Sequence, residues 1–137
     1  MNRLLFSLFI LVAVVFNSCE NDESLIFGSD PLLGYWIEPA IGDSITIFRK
    51  SGNFKEDEYG ICFQPDGLFL ERQNSSWCGT PPIVYVNNEG TWAKTDSVLT
   101  IHVRFWGGTA QYQWKVLSVT NATLTIKRLS ETFPLDN

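Results

Sequence analysis

The feature that most constrains the fold of this chain is an alternation of apolar and polar residues with a period of two. The clearest case is the segment 98–106, VLTIHVRFW, in which Leu99, Ile101, Val103 and Phe105 occupy every second position. Successive side chains of a β-strand point to opposite faces, so these four would lie on one side of a sheet. Past the N-terminal segment, no stretch shows the period of an amphipathic helix. The chain is therefore predicted to be all-β.

About eight such runs follow one another along the chain, and tight turn signals separate them. The strongest signals are PDG at 65–67 and GG at 107–108, both typical of β-hairpins. The proline-containing segment 74–82 is predicted to be a loop, and Gly90 is expected to mark a bulge. Together these features predict an eight-stranded antiparallel up-and-down barrel, whose closure removes the sheet edges. An immunoglobulin-like sandwich is the alternative, although it expects about seven strands and longer crossover connections.

The N-terminus carries a separate signal. Residues 4–16 are almost entirely apolar and follow the basic Arg3. This length is typical of a signal-peptide core and is too short to cross a bilayer, which takes about 20 apolar residues. Residues 1–18 are therefore predicted to be a signal peptide. Ser18 followed by Cys19 resembles the lipobox of bacterial lipoproteins, which implies that Cys19 carries a lipid anchor. An ordinary secretory signal and a buried core helix are the alternatives.

A polar, acidic stretch follows the cysteine. Residues 19–30 are predicted to be a flexible tether, and residues 31–137 are predicted to form one domain. Acidic residues directly after the lipid cysteine resemble the surface-export tags of some Gram-negative lipoproteins, and a solvated linker explains them equally well. The expected location is the cell envelope, as an outer-membrane lipoprotein. Whether the domain faces the periplasm or the outside stays open.

The charge balance disfavours one class of partner. The chain carries 10 Lys and Arg against 15 Asp and Glu, for a formal net charge of −5. Nucleic-acid binding depends on a basic surface that contacts phosphates, so nucleic acid is not an expected partner. Electrostatic docking on anionic lipid is disfavoured for the same reason. The membrane contact is therefore expected to run through the N-terminal lipid.

Two cysteines remain in the predicted domain, Cys62 and Cys78. A secretion signal sends a chain to an oxidising compartment, where an even pair of cysteines favours a disulfide. In the chain-entropy model, a closed loop of this size contributes about 3 kcal/mol. Two separately buried thiols are the alternative. A zinc site is not expected, because it usually takes four ligands.

Several short motifs resemble the lipocalin-like domains of bacterial lipoproteins. Gly34 and Trp36, in LLGYWIEP, are similar to the Gly-x-Trp opening of that family. CFQPDGLF resembles its hairpin motif, and GTWAKTDSVLTI with YQWKVLSVTNATLTIKRL resembles its closing strands. The resemblance covers about residues 31–129. It implies a small eight-stranded barrel on a lipid anchor, usually without a known ligand. Trp36 is then expected to fill the closed end of the barrel as a structural residue.

Catalytic chemistry finds little support in the sequence. A catalytic site needs a base within reach of a nucleophile, and the only histidine, His102, lies in the middle of a predicted strand. The acidic run 56–58 could attract calcium, but successive strand residues point to opposite faces. No metal or cofactor is expected, and an enzyme ranks last among the functions considered.

Exposed or lining aromatic residues are the remaining functional signal. Trp77 lies in the proline-rich loop and Trp106 lies beside the turn at 107–108, so either could contact a ligand or a partner. The alternative is that both side chains fold back over a mouth of the barrel. Tyr112 and Trp114 share one face of a strand and are expected to line the barrel. Two functions follow: a binding module for a small apolar ligand, and a filled barrel that contacts a protein partner through its loops. A cavity of about 300 Å³ or more would favour the first.

Overall fold

A computed structural model describes residues 30–75, 81 and 83–135 of the chain. These residues form eight β-strands and one short 3₁₀ turn. The strands are β1 (Gly34–Ile41), β2 (Ile45–Ser51), β3 (Gly60–Phe63), β4 (Leu68–Asn74), β5 (Tyr85–Thr95), β6 (Val98–Phe105), β7 (Gly108–Val119) and β8 (Thr123–Thr132). The 3₁₀ turn, Pro65–Gly67, joins β3 to β4, at the position where the sequence predicts a hairpin. Among the described residues, no helix has the length and apolar character that crossing a membrane requires.

The strands form one closed antiparallel barrel. Their order around the barrel is β1-β2-β8-β7-β6-β5-β4-β3, and the pairing of β2 with β8 closes it. From β3 to β8, each strand pairs with the next strand along the chain. The predicted all-β, eight-stranded antiparallel barrel is confirmed.

One connection departs from the simple meander. β1 lies between β2 and β3, so the segment 52–59 must cross β1 to join those two strands. Its Phe54 ring packs edge-on against Tyr35 of β1, with ring centroids 4.9 Å apart. Lys55 in the same segment forms an ion pair with Glu38 of β1. The crossing segment is thus held against β1 by one aromatic contact and one ion pair.

The barrel interior holds a single hydrophobic core. β6 behaves as its alternation predicts, since Leu99, Ile101 and Val103 are all completely buried. Thirteen of the buried core side chains come from the strands: Trp36, Phe48, Ile61, Phe63, Phe69, Leu99, Ile101, Val103, Ala110, Tyr112, Trp114, Leu124 and Ile126. Leu32 and Leu33, just before β1, join the same cluster. The period-two pattern therefore selects the inward face.

Gly90 does not mark a bulge, contrary to the expectation from sequence. Its strand pairs without a shift in register on both sides, opposite Phe69 and Val103. A Cβ atom at Gly90 would lie 2.7 Å from the Cα of Val103, and still closer to the carbonyl oxygen of His102. The glycine is needed because the neighbouring strand approaches too closely for any side chain. The register shifts lie instead in β1 and between β7 and β8.

Candidate functional site

The two ends of the barrel differ in how they are filled. At the end where β1 begins, Trp36 is completely buried and its Nε1 donates a hydrogen bond of 2.7 Å to the carbonyl of Leu32. The ammonium of Lys50 lies 4.1 Å from the centre of the Trp36 ring, and it donates hydrogen bonds to the carbonyls of Pro31 and Leu33. We call this the closed end, because side chains and the segment 30–33 fill it.

The opposite end, where β1 finishes, contains a cavity of about 150 Å³ that we call the mouth. It is lined by aromatic rings, aliphatic side chains and a few charged groups. Residues at this cavity include Phe48, Tyr59, Glu71, Tyr112, Trp114 and Glu131. Five of these residues lie on four strands, and the sixth, Tyr59, directly precedes β3. A cavity of this size accommodates a molecule of about the size of benzene.

Glu71 is the central polar group of the mouth. It is one of only two buried polar residues among those the structure describes, with 3% of its surface exposed. The hydroxyl of Tyr59 donates a hydrogen bond of 2.6 Å to its Oε1, and the hydroxyl of Tyr112 donates one of 3.2 Å to its Oε2. Both donors are neutral, so the carboxyl group is hydrogen-bonded, and among residues 30–75, 81 and 83–135 no Lys or Arg forms an ion pair with it.

The surroundings shift the pKa values of this group of residues. Burial raises the pKa of the Glu71 carboxyl, and the nearby charge of Glu131 adds to that effect, while the hydrogen bonds from the tyrosines oppose it. Burial, together with the charge of Glu71, also raises the pKa values of Tyr59 and Tyr112. Both hydroxyls therefore stay protonated at neutral pH and keep donating to the carboxylate.

A second carboxylate and one guanidinium complete the charged groups at the mouth. Glu131 accepts a hydrogen bond of 3.0 Å from Nε1 of Trp114, whose ring stacks on Tyr112 at 5.1 Å. Arg128 also borders the cavity, but its Nη2 donates to the carbonyls of Gly42 at 2.8 Å and Asp43 at 3.2 Å. The guanidinium is thus held by main-chain carbonyls.

The residues predicted as contacts from sequence fall into three places. Tyr112 and Trp114 lie together in the wall of the mouth. Trp106 follows the end of β6, at the turn into β7, and 67% of its surface is exposed. Gly34 and Trp36, the residues of the family motif, lie at the closed end. Trp77 and the predicted lipid anchor Cys19 lie outside the described residues.

The structure describes only one member of the predicted disulfide. Cys62 is completely buried in β3, opposite Tyr35 and Leu70, and within the described residues it is a free thiol. Burial raises the pKa of this thiol to about 12, which makes it a poor nucleophile. Cys78 lies outside the described residues, so its pairing with Cys62 stays a prediction that non-reducing peptide mapping can test.

The remaining candidates do not assemble a reactive site. His102 is exposed on β6, opposite Thr91 and Gln111. The acidic run 56–58 belongs to the segment that crosses β1, where Glu58 pairs with Lys55 at 3.4 Å. In the described part of the chain, no three His, Cys, Asp or Glu side chains are grouped so that they could hold a metal ion.

Sequence reasoning missed Tyr59, Glu71 and Glu131. Glu71 lies two residues after Phe69, so the two side chains share a face of the strand. This spacing was the sequence signal that could have identified Glu71 as an inward residue. Neither face of LFLERQ is purely apolar, however, and its inward face depends on pairing with β3 and β5. Tyr112, which donates to Glu71, is 41 residues away along the chain.

Comparisons with known proteins leave the chain without an assigned relative. No protein-family model, no curated protein and no solved structure matches it.

Proposed function

We propose that this protein is a lipid-anchored binding module of the cell envelope, which holds a small ligand at the mouth of its barrel. The observation that carries the proposal is the cavity of about 150 Å³ with Tyr112 and Trp114 in its wall, in a barrel whose other end is filled. Binding sites are typically concave and largely apolar, with a few polar groups that orient the ligand. The mouth has this composition.

The size of the cavity limits the ligand. The cavity measures about 150 Å³, which is below the size of about 300 Å³ that would favour a carrier of apolar ligands. The mouth is therefore too small for a fatty acid or a similarly large apolar cargo. A cavity near 150 Å³ suits a molecule of about six non-hydrogen atoms. The ligand we propose is therefore small, and it touches the aromatic wall.

The experiment that tests this proposal uses the indole N–H signals of the ¹⁵N-labelled full-length chain. Fluorobenzene is titrated as a neutral probe of suitable size. The Trp114 signal, at the mouth, should shift and saturate, whereas the Trp36 signal at the closed end should stay in place. A Trp114 signal that never responds to fluorobenzene, nor to the charged probes described below, would contradict a ligand site at the mouth.

The anchor is proposed from the sequence and has its own test. Mass spectrometry of the N-terminus of the protein from its native membrane should find Cys19 acylated, with residues 1–18 removed. Each buried CH₂ contributes about 0.8 kcal/mol, so two or three acyl chains hold a protein firmly on a bilayer. The Cys19→Ser variant should accumulate as unprocessed precursor. An unmodified Cys19 in the wild type would refute the lipoprotein assignment.

A second candidate function is contact with a protein partner through the rim of the mouth. Apolar side chains that are more than half exposed at this end include Ile41, Trp106, Phe133 and Leu135. Phe133 packs edge-on against both Phe105 and Tyr112, at 6.0 Å in each case. Exposed aromatic residues in such a group favour association with another protein. This alternative predicts that substitution of Trp106 affects binding while substitution of Trp114 does not.

A further inference from the structure

The mouth contains a buried carboxyl group for which the described part of the chain supplies no cationic partner. Glu71 is 3% exposed, and in the described residues neither Lys nor Arg forms an ion pair with it. Its hydrogen-bond donors are the neutral hydroxyls of Tyr59 and Tyr112. Buried carboxylates in proteins are normally paired with a cation, because removing the charge from water is costly. Glu71 is an exception, and its carboxylate borders the cavity.

The other charged groups do not remove this imbalance. Glu131 adds a second carboxylate to the lining, and its partner there is the neutral indole of Trp114. Arg128 supplies one guanidinium, but its Nη2 is directed to the carbonyls of Gly42 and Asp43. With two carboxylates against one guanidinium, the lining favours a cation and disfavours an anion.

The walls of the mouth suit an organic cation. Tyr112 and Trp114 stack with an interplanar angle of 5°, and both rings line the cavity together with Phe48 and Phe133. Aromatic rings attract cations through their negative faces, most strongly where water is excluded, and they recognise alkylated ammonium groups. The ligand must also be small, because the cavity measures about 150 Å³.

Two other ligand classes fit less well. A purely apolar molecule would fill the cavity and leave the Glu71 carboxylate with its two tyrosine donors but without water or a counter-charge, which is unfavourable. A divalent metal ion would require at least three clustered ligand side chains, and the described residues contain no such group. An alkylammonium ion meets both demands, since its charge neutralises Glu71 and its methyl or methylene groups contact the rings.

We propose that the mouth binds a small alkylammonium ion, of about six or seven non-hydrogen atoms, with Glu71 as its counter-charge and Tyr112 and Trp114 as its aromatic wall. The inference rests on the proposed function, because it names the ligand class of the same site. It makes Glu71 the residue that determines specificity. Glu131 then contributes a longer-range attraction.

The test compares a cation with its neutral isostere on the full-length chain. Choline and 3,3-dimethylbutan-1-ol have the same shape, but only choline carries a charge, and propylammonium serves as a primary ammonium. Binding is followed through the indole signals of Trp114 and Trp36. At least one of the two cations should bind the wild type at least tenfold more tightly than the neutral alcohol, and the Trp114 signal should report it.

Two variants locate the preference. Glu71→Gln keeps the size of the side chain and should abolish the advantage of the cation. Glu89→Gln removes the same charge from an exposed position on the neighbouring strand β5 and should leave the advantage unchanged. If Glu71→Gln fails to fold, Glu131→Gln provides a second test, and it should reduce the advantage several-fold without shifting the Trp36 signal.

The outcomes separate this inference from the proposed function. If the neutral alcohol or fluorobenzene binds as tightly as the cations, and Glu71→Gln changes nothing, the mouth is a binding site without charge preference. The inference then fails and the proposed function stands. If no probe shifts the Trp114 signal, both fail. A cation that binds equally well to Glu71→Gln also overturns the inference, since its counter-charge lies elsewhere.

Discussion

The closed end holds the half-buried ammonium of Lys50 and the mouth holds the buried carboxyl of Glu71, and the surroundings of the two groups differ. The ammonium of Lys50 donates to the main-chain carbonyls of Pro31 and Leu33 and lies over the Trp36 ring, so groups of the fold itself stabilise its charge. The carboxylate of Glu71 accepts hydrogen bonds only from neutral hydroxyls and faces a cavity. The first charge is expected to contribute to stability, and the second is the one that the proposed ligand would contact.

Burial acts on both groups in the direction that favours the neutral form. It lowers the pKa of the Lys50 ammonium and raises the pKa of the Glu71 carboxyl. At the closed end, the main-chain carbonyls of Pro31 and Leu33 accept hydrogen bonds from the ammonium and stabilise its charge. At the mouth, the charge of a second carboxylate, Glu131, raises the pKa of Glu71 further. Substitutions at the two ends should therefore have different consequences.

The largest effect is expected at the closed end. Trp36→Ala removes a completely buried ring, its hydrogen bond to Leu32 and the contact with Lys50. Such a substitution costs about 3–5 kcal/mol, and a domain of this size has only about 5–15 kcal/mol of stability. The urea midpoint should fall steeply. Trp106→Ala, at an exposed position, is the matched control and should change stability by about 0.5 kcal/mol or less. Equal midpoints for the two variants would show that the closed end does not determine stability.

A smaller loss is expected from the corresponding change at the mouth. Trp114 is also buried, but its ring already borders a cavity, so Trp114→Ala deletes fewer packing contacts. We expect a loss of about 3 kcal/mol, at the lower limit for such substitutions. Binding of choline and of fluorobenzene should weaken at the same time. A loss as large as that of Trp36→Ala, without any change in binding, would mean that the mouth is packed core.

Removing the charge at the closed end should destabilise the barrel moderately. Lys50→Met keeps an unbranched side chain over Trp36 but leaves two carbonyls without their donor. The lost cation–π contact and charged hydrogen bonds correspond to about 1–2 kcal/mol in total. Lys127→Met, on the exposed part of β8, is the control. If Lys50→Met is as stable as the control in urea denaturation, the ammonium does not contribute to the closed end.

The smallest effect is expected when the charge at the mouth is removed, and its sign depends on pH. Because the pKa of Glu71 is raised on folding, the folded protein holds this proton more tightly than the unfolded chain does. The resulting stabilisation is present below the ordinary glutamate pKa, near 4.5, and is lost as the pH rises through the folded value. Glu71→Gln should therefore gain stability relative to wild type between about pH 4 and about pH 7. Denaturation midpoints of both proteins at the two pH values check this, and an opposite trend would indicate an ion-paired carboxylate.

Local pattern was sufficient to predict most of the barrel. The alternation in β6 identified Leu99, Ile101 and Val103 as inward residues, because one face of that strand is purely apolar. The hairpin at Pro65–Gly67 was predictable because Asp and Gly are the residue types that tolerate positive φ in tight turns. Asp66 and Gly67 indeed adopt φ values of 68° and 78°. Each of these features depends only on neighbouring residues. The crossing of β1 by the segment 52–59 was not predicted, because it depends on which strands pair.

The candidate site was predictable only in part, for the same reason. Tyr112 and Trp114 stand in a clear period-two pattern and were identified as lining residues. Glu71 stands between Leu70 and Arg72, in a strand whose two faces look alike in polarity, and only the pairing of β4 with β3 and β5 turns it inward. Its partner Tyr59 precedes a strand of four residues. When the residues around a buried carboxyl group come from distant segments, no single segment has a sequence pattern that reveals the site.

The position of residues 30–33 has a consequence for orientation. These residues lead into β1 at the closed end, and β1 then runs to the mouth, where Ile41 borders the cavity. Eight tilted strand residues separate the two ends by roughly 20 Å. If a lipid at Cys19 holds the chain to a bilayer, the tether joins the barrel at the closed end, and the mouth lies at the end farther from the point of attachment. Such a protein would sample the aqueous phase, which suits a water-soluble cation better than a molecule dissolved in the membrane.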